Sequence, residues 1–170
     1  MKISLVSHSP EQTRAIGAAL GRFVRAGDVL VCSGELGAGK TVLAQGFGEG
    51  LGVPGQVVSP TFVLVRSVQG RLLLHHADLW RLDDLAEMAD LGLAELVEDE
   101  AVALVEWGEK GVAALGREHL AVELVAREDE ARLVELVASG VGWERRWESL
   151  SAALAAFGAA ALGAEAGGHR

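Results

Sequence analysis

One glycine-rich segment carries the residue types best suited to chemistry. It matches the phosphate-binding pattern G-x-x-x-x-G-K-[ST] in full. In such a P-loop, glycines let backbone N–H groups approach phosphate oxygens, the lysine ammonium reaches the β- and γ-phosphates, and the following hydroxyl ligates Mg²⁺. The segment therefore predicts a nucleotide site, and the residues after Gly34 that we expect to contact the nucleotide are Glu35, Leu36, Gly37, Ala38, Gly39, Lys40 and Thr41.

The surroundings of this loop argue against a glycine-rich segment that binds nothing. An apolar run at 29–32 precedes it and a helical pattern at 42–51 follows it, which is the strand–loop–helix context of a phosphate site. The chain holds 22 glycines, yet its own residue frequencies give only ~0.003 expected chance matches to the pattern. Lysine is also scarce, since it occurs only at Lys2, Lys40 and Lys110. A compact ammonium at this point suits a phosphate cradle better than a guanidinium.

Two carboxylates follow apolar runs later in the chain. Asp78 ends the run 72–77, and Glu106 ends the run 102–105. Ligands bind at the carboxyl ends of the strands in an open α/β sheet, so either residue could help to hold Mg²⁺ or position a water molecule. Each could equally be a solvated carboxylate at a strand end. The sequence leaves open which of the two is the main metal ligand.

Other polar residues near these runs have two readings each. The segment 59–61 could carry a nucleotide-responsive threonine, Thr61, or could be a proline-fixed entry to a strand. Arg81 could stabilise phosphate charge, or could pair with a nearby aspartate. His75 and His76 lack neighbours at metal-ligand spacing, so hydrogen-bonding or structural roles are expected. Trp80 is expected to pack rather than to stack on a base.

The composition narrows the class of protein. Hydrophobic residues are 50% and charged residues 23%, which is typical of a globular domain. The formal net charge of −9 argues against broad binding to a nucleic-acid backbone. The single cysteine and the lack of a signal peptide or a long apolar span favour a cytoplasmic protein without a membrane segment. The chain has no asparagine, so the Asn-Lys-x-Asp route to guanine recognition is excluded and ATP is favoured.

The order of elements predicts an α/β fold with three layers, a mainly parallel central sheet and antiparallel hairpin additions. A strand at 2–6 and a helix begun by Ser9 and running to about Arg25 precede the P-loop. Hairpins are expected at 62–77 and 119–137, a buried parallel strand at 101–105, and helices from Leu82, at 93–98 and at 108–115. We expect one ATPase domain over 1–140, a C-terminal amphipathic helix packed on it that runs from Trp143 within 141–162, and a frayed tail at 163–170.

These motifs together resemble the bacterial TsaE (YjeE) family of tRNA threonylcarbamoyladenosine synthesis. The matching segments are the P-loop and the runs 59–62, 76–82 and 105–107, and the resemblance covers about 1–138. It implies a P-loop NTPase fold, ATP and Mg²⁺. By this resemblance Lys40, Asp78 and Glu106 are the catalytic residues. Lys40 holds the phosphates, Thr41 and Glu106 the Mg²⁺, and Asp78 a water molecule. It further implies that Thr61 is the switch and that Trp107 packs beside the metal carboxylate. Glu11 and Thr13 would lie near the adenine or ribose.

The resemblance also implies partners. By this resemblance the chain is a weak ATPase that acts with a TsaD-like transferase and a TsaB-like paralogue. The complex modifies position 37 of tRNA, which the chain itself reaches only indirectly. One departure concerns a late Gly-Arg pair of the family, where this chain has Glu128 and Asp129; Arg127 or Arg132 could substitute. Two other functions stay open at this point. A small-molecule kinase would need an arginine-lined lid, and a nucleotide-gated binding module would use the same ligands without turnover.

Overall fold

The computed structural model describes residues 1–58, 65–80, 97, 100–107, 118–158 and 160–162, with the backbone alone at 129 and 160–162. The described strands form one sheet and are β1 (Lys2–Ser7), β2 (Val29–Ser33), β3 (Val65–Gln69), β4 (Leu73–Asp78), β5 (Ala101–Glu106), β6 (His119–Ala126), β7 (Arg132–Ser139) and β8 (Ala160–Leu162). The described α-helices are α1 (Pro10–Phe23), α2 (Lys40–Gly50), α3 (Val141–Glu144) and α4 (Trp147–Leu154).

The centre of the sheet is parallel, as the sequence predicts. The strand order is β3-β4-β5-β2-β6-β7-β1-β8, and the pairs β4–β5, β5–β2 and β2–β6 are parallel. The predicted hairpins are the antiparallel pairs β3–β4 and β6–β7. Because β2 lies in the parallel centre, the loop after it opens at the edge where β4 and β5 also end.

Both faces of the central strands are buried, as three layers require. All six residues of β5 are buried, which is typical of a parallel strand covered on both sides. Leu30 and Leu104 belong to the cluster packed under α1 and α2, whereas Val31 and Val105 belong to a second cluster with Val97. The alternation of side chains along a strand therefore assigns each residue of β2, β4 and β5 to one of two layers.

The start of α1 follows the predicted capping signal. Ser9 has extended backbone angles and its Oγ accepts a hydrogen bond from the N–H of Gln12 at 3.2 Å, while Pro10 occupies the first turn. Gln12 in turn accepts from the N–H of His8 at 2.7 Å. These bonds satisfy N–H groups that the helix itself leaves unpaired, so the entry into α1 is fixed by local sequence.

Helices α1 and α2 touch backbone to backbone. A Cβ at Gly46 would lie 1.9 Å from the carbonyl oxygen of Arg14, and one at Gly17 would lie 2.2 Å from that of Leu43. Gly21 and Gly50 approach the facing helix in the same way, each with a virtual Cβ 2.2 Å from a carbonyl oxygen. Only glycine permits this distance, so four glycines on two helices set how α1 sits on the P-loop helix.

An exposed ion pair also joins these helices. The Arg14 guanidinium donates to the Glu49 carboxylate, with Nε 2.8 Å from Oε1. This hydrogen bond lowers the pKa of the Glu49 carboxyl and raises the pKa of Arg14. A carboxyl group whose pKa is lowered by folding stabilises the fold at pH values above its unfolded pKa. This stabilisation is lost as the pH falls through its folded pKa. Because the pair is exposed, the glycine contacts matter more than the pair.

The C-terminal segment differs from the predicted single helix. The prediction of one C-terminal helix within 141–162 is wrong, because the segment divides into α3, α4, a short 3₁₀ turn (Ala155–Phe157) and β8. Between α3 and α4, Arg146 leaves helical geometry with φ −103° and ψ 5°, and its guanidinium pairs with Asp28 at two N–O distances of 2.9 and 2.6 Å. Gly158 adopts φ 75°, a left-handed conformation that ends the helical run. Strand β8 then pairs with β1, with Leu162 opposite Lys2. The backbone groups of the last residues therefore form hydrogen bonds to β1 instead of those that a longer helix would have provided.

The packing of this segment follows its apolar residues. Trp143, Trp147, Leu150 and Leu154 are buried in the same cluster as the residues under α1, and Phe157 is half-buried against it. Leu162, which lies within the range predicted to be helical, is in β8 instead. The predicted helices from Leu82, at 93–98 and at 108–115, and the predicted tail, fall mainly outside the described residues. Within the described part of the chain, no helix has the length and apolar character needed to cross a membrane.

Candidate nucleotide-binding site

The P-loop has backbone angles that only glycines adopt readily. Gly34, Gly37 and Gly39 have φ of 137°, 80° and 108°. A Cβ at Gly34 would lie 2.3 Å from the carbonyl oxygen of Leu124, so this glycine lets the loop lie against β6. At Gly37 a Cβ would have no described residue other than its chain neighbours within 4 Å, so this position faces open space. Helix α2 begins directly after the loop, and its N-terminus favours a bound anion.

Lys40 points back into this loop. Its side chain is buried, and its Nζ donates hydrogen bonds to the carbonyl oxygens of Gly34 at 2.5 Å and Glu35 at 2.9 Å. The same ammonium lies 3.6 Å from the centroid of the Trp107 ring, a cation–π distance. The lysine charge is therefore held at the loop by carbonyl oxygens and an aromatic face, where it can neutralise phosphate oxygens.

The two candidate carboxylates are neighbours. Asp78 and Glu106 are paired residues in the parallel register of β4 and β5, each at the end of its strand. Both residues are buried, with 6% and 2% of their whole-residue surface exposed. Asp78 Oδ1 accepts from the N–H of Trp80 at 3.0 Å, and Glu106 Oε1 lies 2.7 Å from His76 Nε2. Each carboxylate is thus fixed in orientation at the edge of the sheet that carries the P-loop.

Trp107 turns the chain sharply after β5. It has a φ of 58°, an uncommon left-handed conformation for a non-glycine residue. Its N–H donates to the carbonyl oxygen of Cys32 at 2.9 Å, and its ring lies 4.4 Å from that of Trp80. Strained backbone of this kind is concentrated at functional sites. Here it places an aromatic face beside Glu106 and under the Lys40 ammonium, as the expected packing role requires.

One cavity gathers most of the predicted site. It has a volume of about 400 Å³, and the residues lining it are Leu36, Gly37, Gly39, Lys40, Thr41, Val42, Asp78, Trp80, Glu106 and Trp107. Leu36 is 85% exposed at the tip of the loop. Glu35 lies on the opposite side of Trp107, where it lines a separate cavity with Glu123. Ala38 is buried and supports the loop from below.

The donor set of the cavity suits Mg²⁺. Thr41, Asp78 and Glu106 offer hydroxyl and carboxylate oxygens, the ligands that this hard cation prefers. Among the described residues, no three His, Cys, Asp or Glu side chains cluster as a ready-made metal site. Mg²⁺ is commonly held by one or two carboxylates together with substrate phosphates. The residues therefore fit a cation shared with a nucleotide.

A second cavity lies on the other side of the loop. Its volume is about 240 Å³, and its lining is Ser9, Pro10, Thr13, Gly37, Gly39, Val42, Glu130 and Arg132. Thr13 is buried, and its hydroxyl is 2.8 Å from Ser7 Oγ. Glu11 is exposed and does not line this cavity; hydrogen bonds from its own backbone N–H and from Ser9 lower its pKa. Of the two residues expected near the base, the structure brings only Thr13 to the loop.

Arg132 is the basic residue of the late hairpin that reaches the P-loop. Its Nε donates to the carbonyl oxygen of Ala38 at 3.1 Å, and its Nη1 bonds the carbonyl oxygens of Glu130 and Ala131. Arg127, the other residue considered, is exposed. Because the contact joins residues 94 positions apart, spacing in the sequence could not choose between them. Thr61 and Arg81 lie outside the described residues.

Two contacts at the site were not assigned by the sequence. One is the pairing of His76 with Glu106. The sequence did contain a partial signal for it, because His76 and Asp78 are two residues apart on a strand and therefore lie on the same face. The hydrogen bond from Arg132 to the Ala38 carbonyl is the other; the sequence named Arg132 only as an alternative to Arg127 for a nucleotide contact, and did not predict a bond to the loop. His75 bonds Ser67 Oγ at 2.8 Å on the opposite face, so both histidines have the hydrogen-bonding roles expected of them.

Comparison with known proteins gives the family. The family model described as threonylcarbamoyl adenosine biosynthesis protein TsaE matches residues 7–134. The chain belongs to the TsaE family. All the predicted site residues, from Glu11 to Trp107, fall inside this matched range, whereas the helices α3 and α4 fall outside it.

Individual relatives and a solved structure agree with TsaE membership. The tRNA threonylcarbamoyladenosine biosynthesis protein TsaE of Bacillus subtilis (strain 168) is 40% identical over 144 residues, covering 84% of this chain and 90% of the relative. The Streptomyces coelicolor protein of the same name is 44% identical over 138 residues, covering 76% and 93%. The crystal structure of YdiB from Bacillus subtilis matches with a TM-score of 0.78 and 33% identity, covering 89% of this chain and 95% of that one. The expected P-loop NTPase-like α/β fold is confirmed.

Proposed function

We propose that this TsaE-family chain binds and hydrolyses ATP with Mg²⁺ to support threonylcarbamoyladenosine formation at position 37 of tRNA. One observation carries the proposal: Lys40, Thr41, Asp78 and Glu106 line one cavity at the carboxyl edge of the sheet. A phosphate cradle, a lysine and oxygen ligands for Mg²⁺ are the parts that phosphoryl transfer from a nucleotide needs. The family membership supplies the pathway.

Each residue of the site has a separate role in the proposed hydrolysis. The backbone N–H groups of the loop and the Lys40 ammonium bind the β- and γ-phosphates. Thr41 and Glu106 would hold the Mg²⁺, which when bound would neutralise charge on the phosphate oxygens. Asp78, fixed by the Trp80 N–H, orients the attacking water. These roles act through positioning and charge, which dominate catalysis of phosphoryl transfer.

The second cavity is the proposed location of the nucleoside. Thr13 and the first turn of α1 line it beside Gly39, and Arg132 adds a cation next to the loop. Arg132 already braces the Ala38 carbonyl. In the proposed complex it keeps the loop closed on the phosphates, and supplies the positive charge that the family's late Gly-Arg pair suggested. Thr61 remains a proposed switch residue.

The proposed partners follow from the family. The matched relatives are named as tRNA threonylcarbamoyladenosine biosynthesis proteins. We propose that this chain acts in the cytoplasm with a TsaD-like transferase and a TsaB-like paralogue, and contacts tRNA only through them. The acidic net charge of −9 accords with an indirect role, because direct contact with many phosphates needs a basic surface.

The test is the rate of ATP hydrolysis with and without the transferase pair. We expect slow hydrolysis by the chain alone and at least ~10-fold stimulation by the pair, since completing a site is worth one or more kcal/mol of barrier. Complex formation is measured in parallel by size-exclusion chromatography. Normal complex formation without stimulation would instead favour a nucleotide-gated binding module. Transfer of phosphate to a small molecule would favour a kinase.

Two isosteric substitutions separate the roles of the carboxylates. Glu106→Gln keeps an oxygen that accepts from His76 but removes the charge. We expect it to slow ATP hydrolysis by about 100-fold, since a lost metal ligand costs several kcal/mol. It should also lose the gain in ATP affinity that Mg²⁺ provides. Asp78→Asn should slow hydrolysis comparably and keep that Mg²⁺-dependent gain. Normal hydrolysis by Glu106→Gln would refute the metal role, and normal hydrolysis by Asp78→Asn would refute the water-positioning role.

A further inference from the structure

His76 is a buried side chain that none of the proposed steps uses. It lies on β4, where its side chain is 1% exposed, and its Nε2 is 2.7 Å from Glu106 Oε1, on a carboxylate that is itself 3% exposed. Burying a carboxylate costs several kcal/mol unless hydrogen bonds replace those to water. The histidine supplies such a bond, from a strand next to that of the carboxylate.

The geometry makes His76 the donor. A carboxylate oxygen accepts, so the proton lies on Nε2. The other ring nitrogen, Nδ1, is buried and has no hydrogen-bond partner among the described residues. An acceptor left without a partner is tolerated more often in proteins than a donor. One bond therefore fixes the orientation of the ring and engages one of the two oxygens of Glu106.

We propose that His76 is a positioning residue that orients Glu106 toward Mg²⁺; this rests on the proposed ATPase function. By holding Oε1, it fixes the rotamer of Glu106 and would leave Oε2 available to a bound cation. A carboxylate without this bond would be free to rotate away from the cavity, and that change weakens a hard-cation site. Groups behind a metal ligand commonly set its affinity by about 10- to 100-fold.

The alternative is that His76 only fills the core. Two amides of equal polarity separate these roles. Glutamine places its Nε2 donor close to the position of the histidine Nε2, whereas asparagine is one bond shorter and cannot reach Glu106. A purely structural role predicts that both variants behave alike toward the metal. His75→Gln is the matched control, because His75 is adjacent, lies on the opposite face of β4 and bonds Ser67.

The experiment measures Mn²⁺ binding by electron paramagnetic resonance, with a non-hydrolysable ATP analogue present. Mn²⁺ replaces Mg²⁺ as the probe. We expect His76→Asn to weaken Mn²⁺ binding by about 10- to 100-fold, and His76→Gln to restore most of it. His75→Gln should match the wild type. Binding of a fluorescent ATP analogue in EDTA should be unchanged in all three, since the P-loop holds the phosphates without the metal.

Three results would overturn the proposal. The first is wild-type Mn²⁺ affinity in His76→Asn. The second is an equal loss of Mn²⁺ affinity in His76→Asn and His76→Gln when both variants retain the wild-type melting temperature. The third is a loss of Mn²⁺ affinity in His75→Gln as large as that in His76→Asn. If His76→Asn fails to fold, the decision rests on His76→Gln, which must keep Mn²⁺ binding within about 5-fold of the wild type for the proposal to stand. If the wild-type protein binds no ATP analogue either with Mn²⁺ or in EDTA, the ATPase function itself is refuted. The EDTA measurement therefore distinguishes failure of the ATPase function from failure of the role proposed for His76.

Discussion

Replacing Lys40 with alanine should weaken ATP binding by about 100- to 1,000-fold. The ammonium makes two hydrogen bonds to loop carbonyls and lies over Trp107, and with nucleotide bound we expect it to exchange them for phosphate oxygens. Two charge-assisted hydrogen bonds contribute about 3–4 kcal/mol, which corresponds to that range in the dissociation constant. The measurement is a titration with a fluorescent ATP analogue, followed by the rate of hydrolysis at saturating ATP.

Two variants control this result. Lys40→Arg keeps the charge but brings a planar group that does not fit the loop, so we expect it to restore little binding. Lys2→Ala removes another lysine, one that pairs with Glu135 at 2.6 Å at the start of β1, and should bind ATP as the wild type does. If Lys40→Ala binds ATP normally while folded, the segment 34–41 is not the phosphate site.

Gly46→Ala should lower the free energy of unfolding by about 4 kcal/mol or more. Its new Cβ would lie 1.9 Å from the carbonyl oxygen of Arg14, and that oxygen belongs to helix backbone, which cannot turn aside. Alanine gains at most ~1 kcal/mol in helix propensity over glycine. The steric cost therefore outweighs the gain in propensity. Thermal unfolding should show a melting temperature lower by about 8–16 °C for a chain of this size.

The control for this prediction is on the same helix. Glu49→Ala removes the exposed ion pair with Arg14 but adds no atoms between the helices, and should leave the melting temperature within about 2 °C of the wild type, because exposed ion pairs contribute little to stability. A Gly46→Ala protein that melts within about 2 °C of the wild type would show that α1 and α2 do not pack this closely. Because α2 begins at Lys40, we also expect partly folded Gly46→Ala protein to bind ATP more weakly.

Most elements of the fold could be predicted because their signals are local. The Ser9 cap, the apolar run of β5 and the two alternating hairpins each depend on residues close together in the chain, and each is present in the structure. The segment after 141 was predicted incorrectly for the opposite reason. Its break between α3 and α4 falls at Arg146, which pairs with Asp28, and its last residues pair with the open edge of β1 as β8. Both contacts are with residues far away in the sequence.

The sequence by itself determined where the candidate phosphate site lies and which family the chain belongs to. The spacing of glycines, lysine and threonine in 34–41 is a local pattern, and the family follows from the order of such patterns. Only the tertiary structure decided how the rest of the site meets the loop. The parallel register of β4 and β5 makes Asp78 and Glu106 neighbours, His76 fixes Glu106, and Arg132 rather than Arg127 reaches Ala38. These contacts join residues far apart in sequence. The pairing of β4 with β5 and the packing of the late hairpin against the loop bring them together, and neither can be read from the spacing of residues within one local segment.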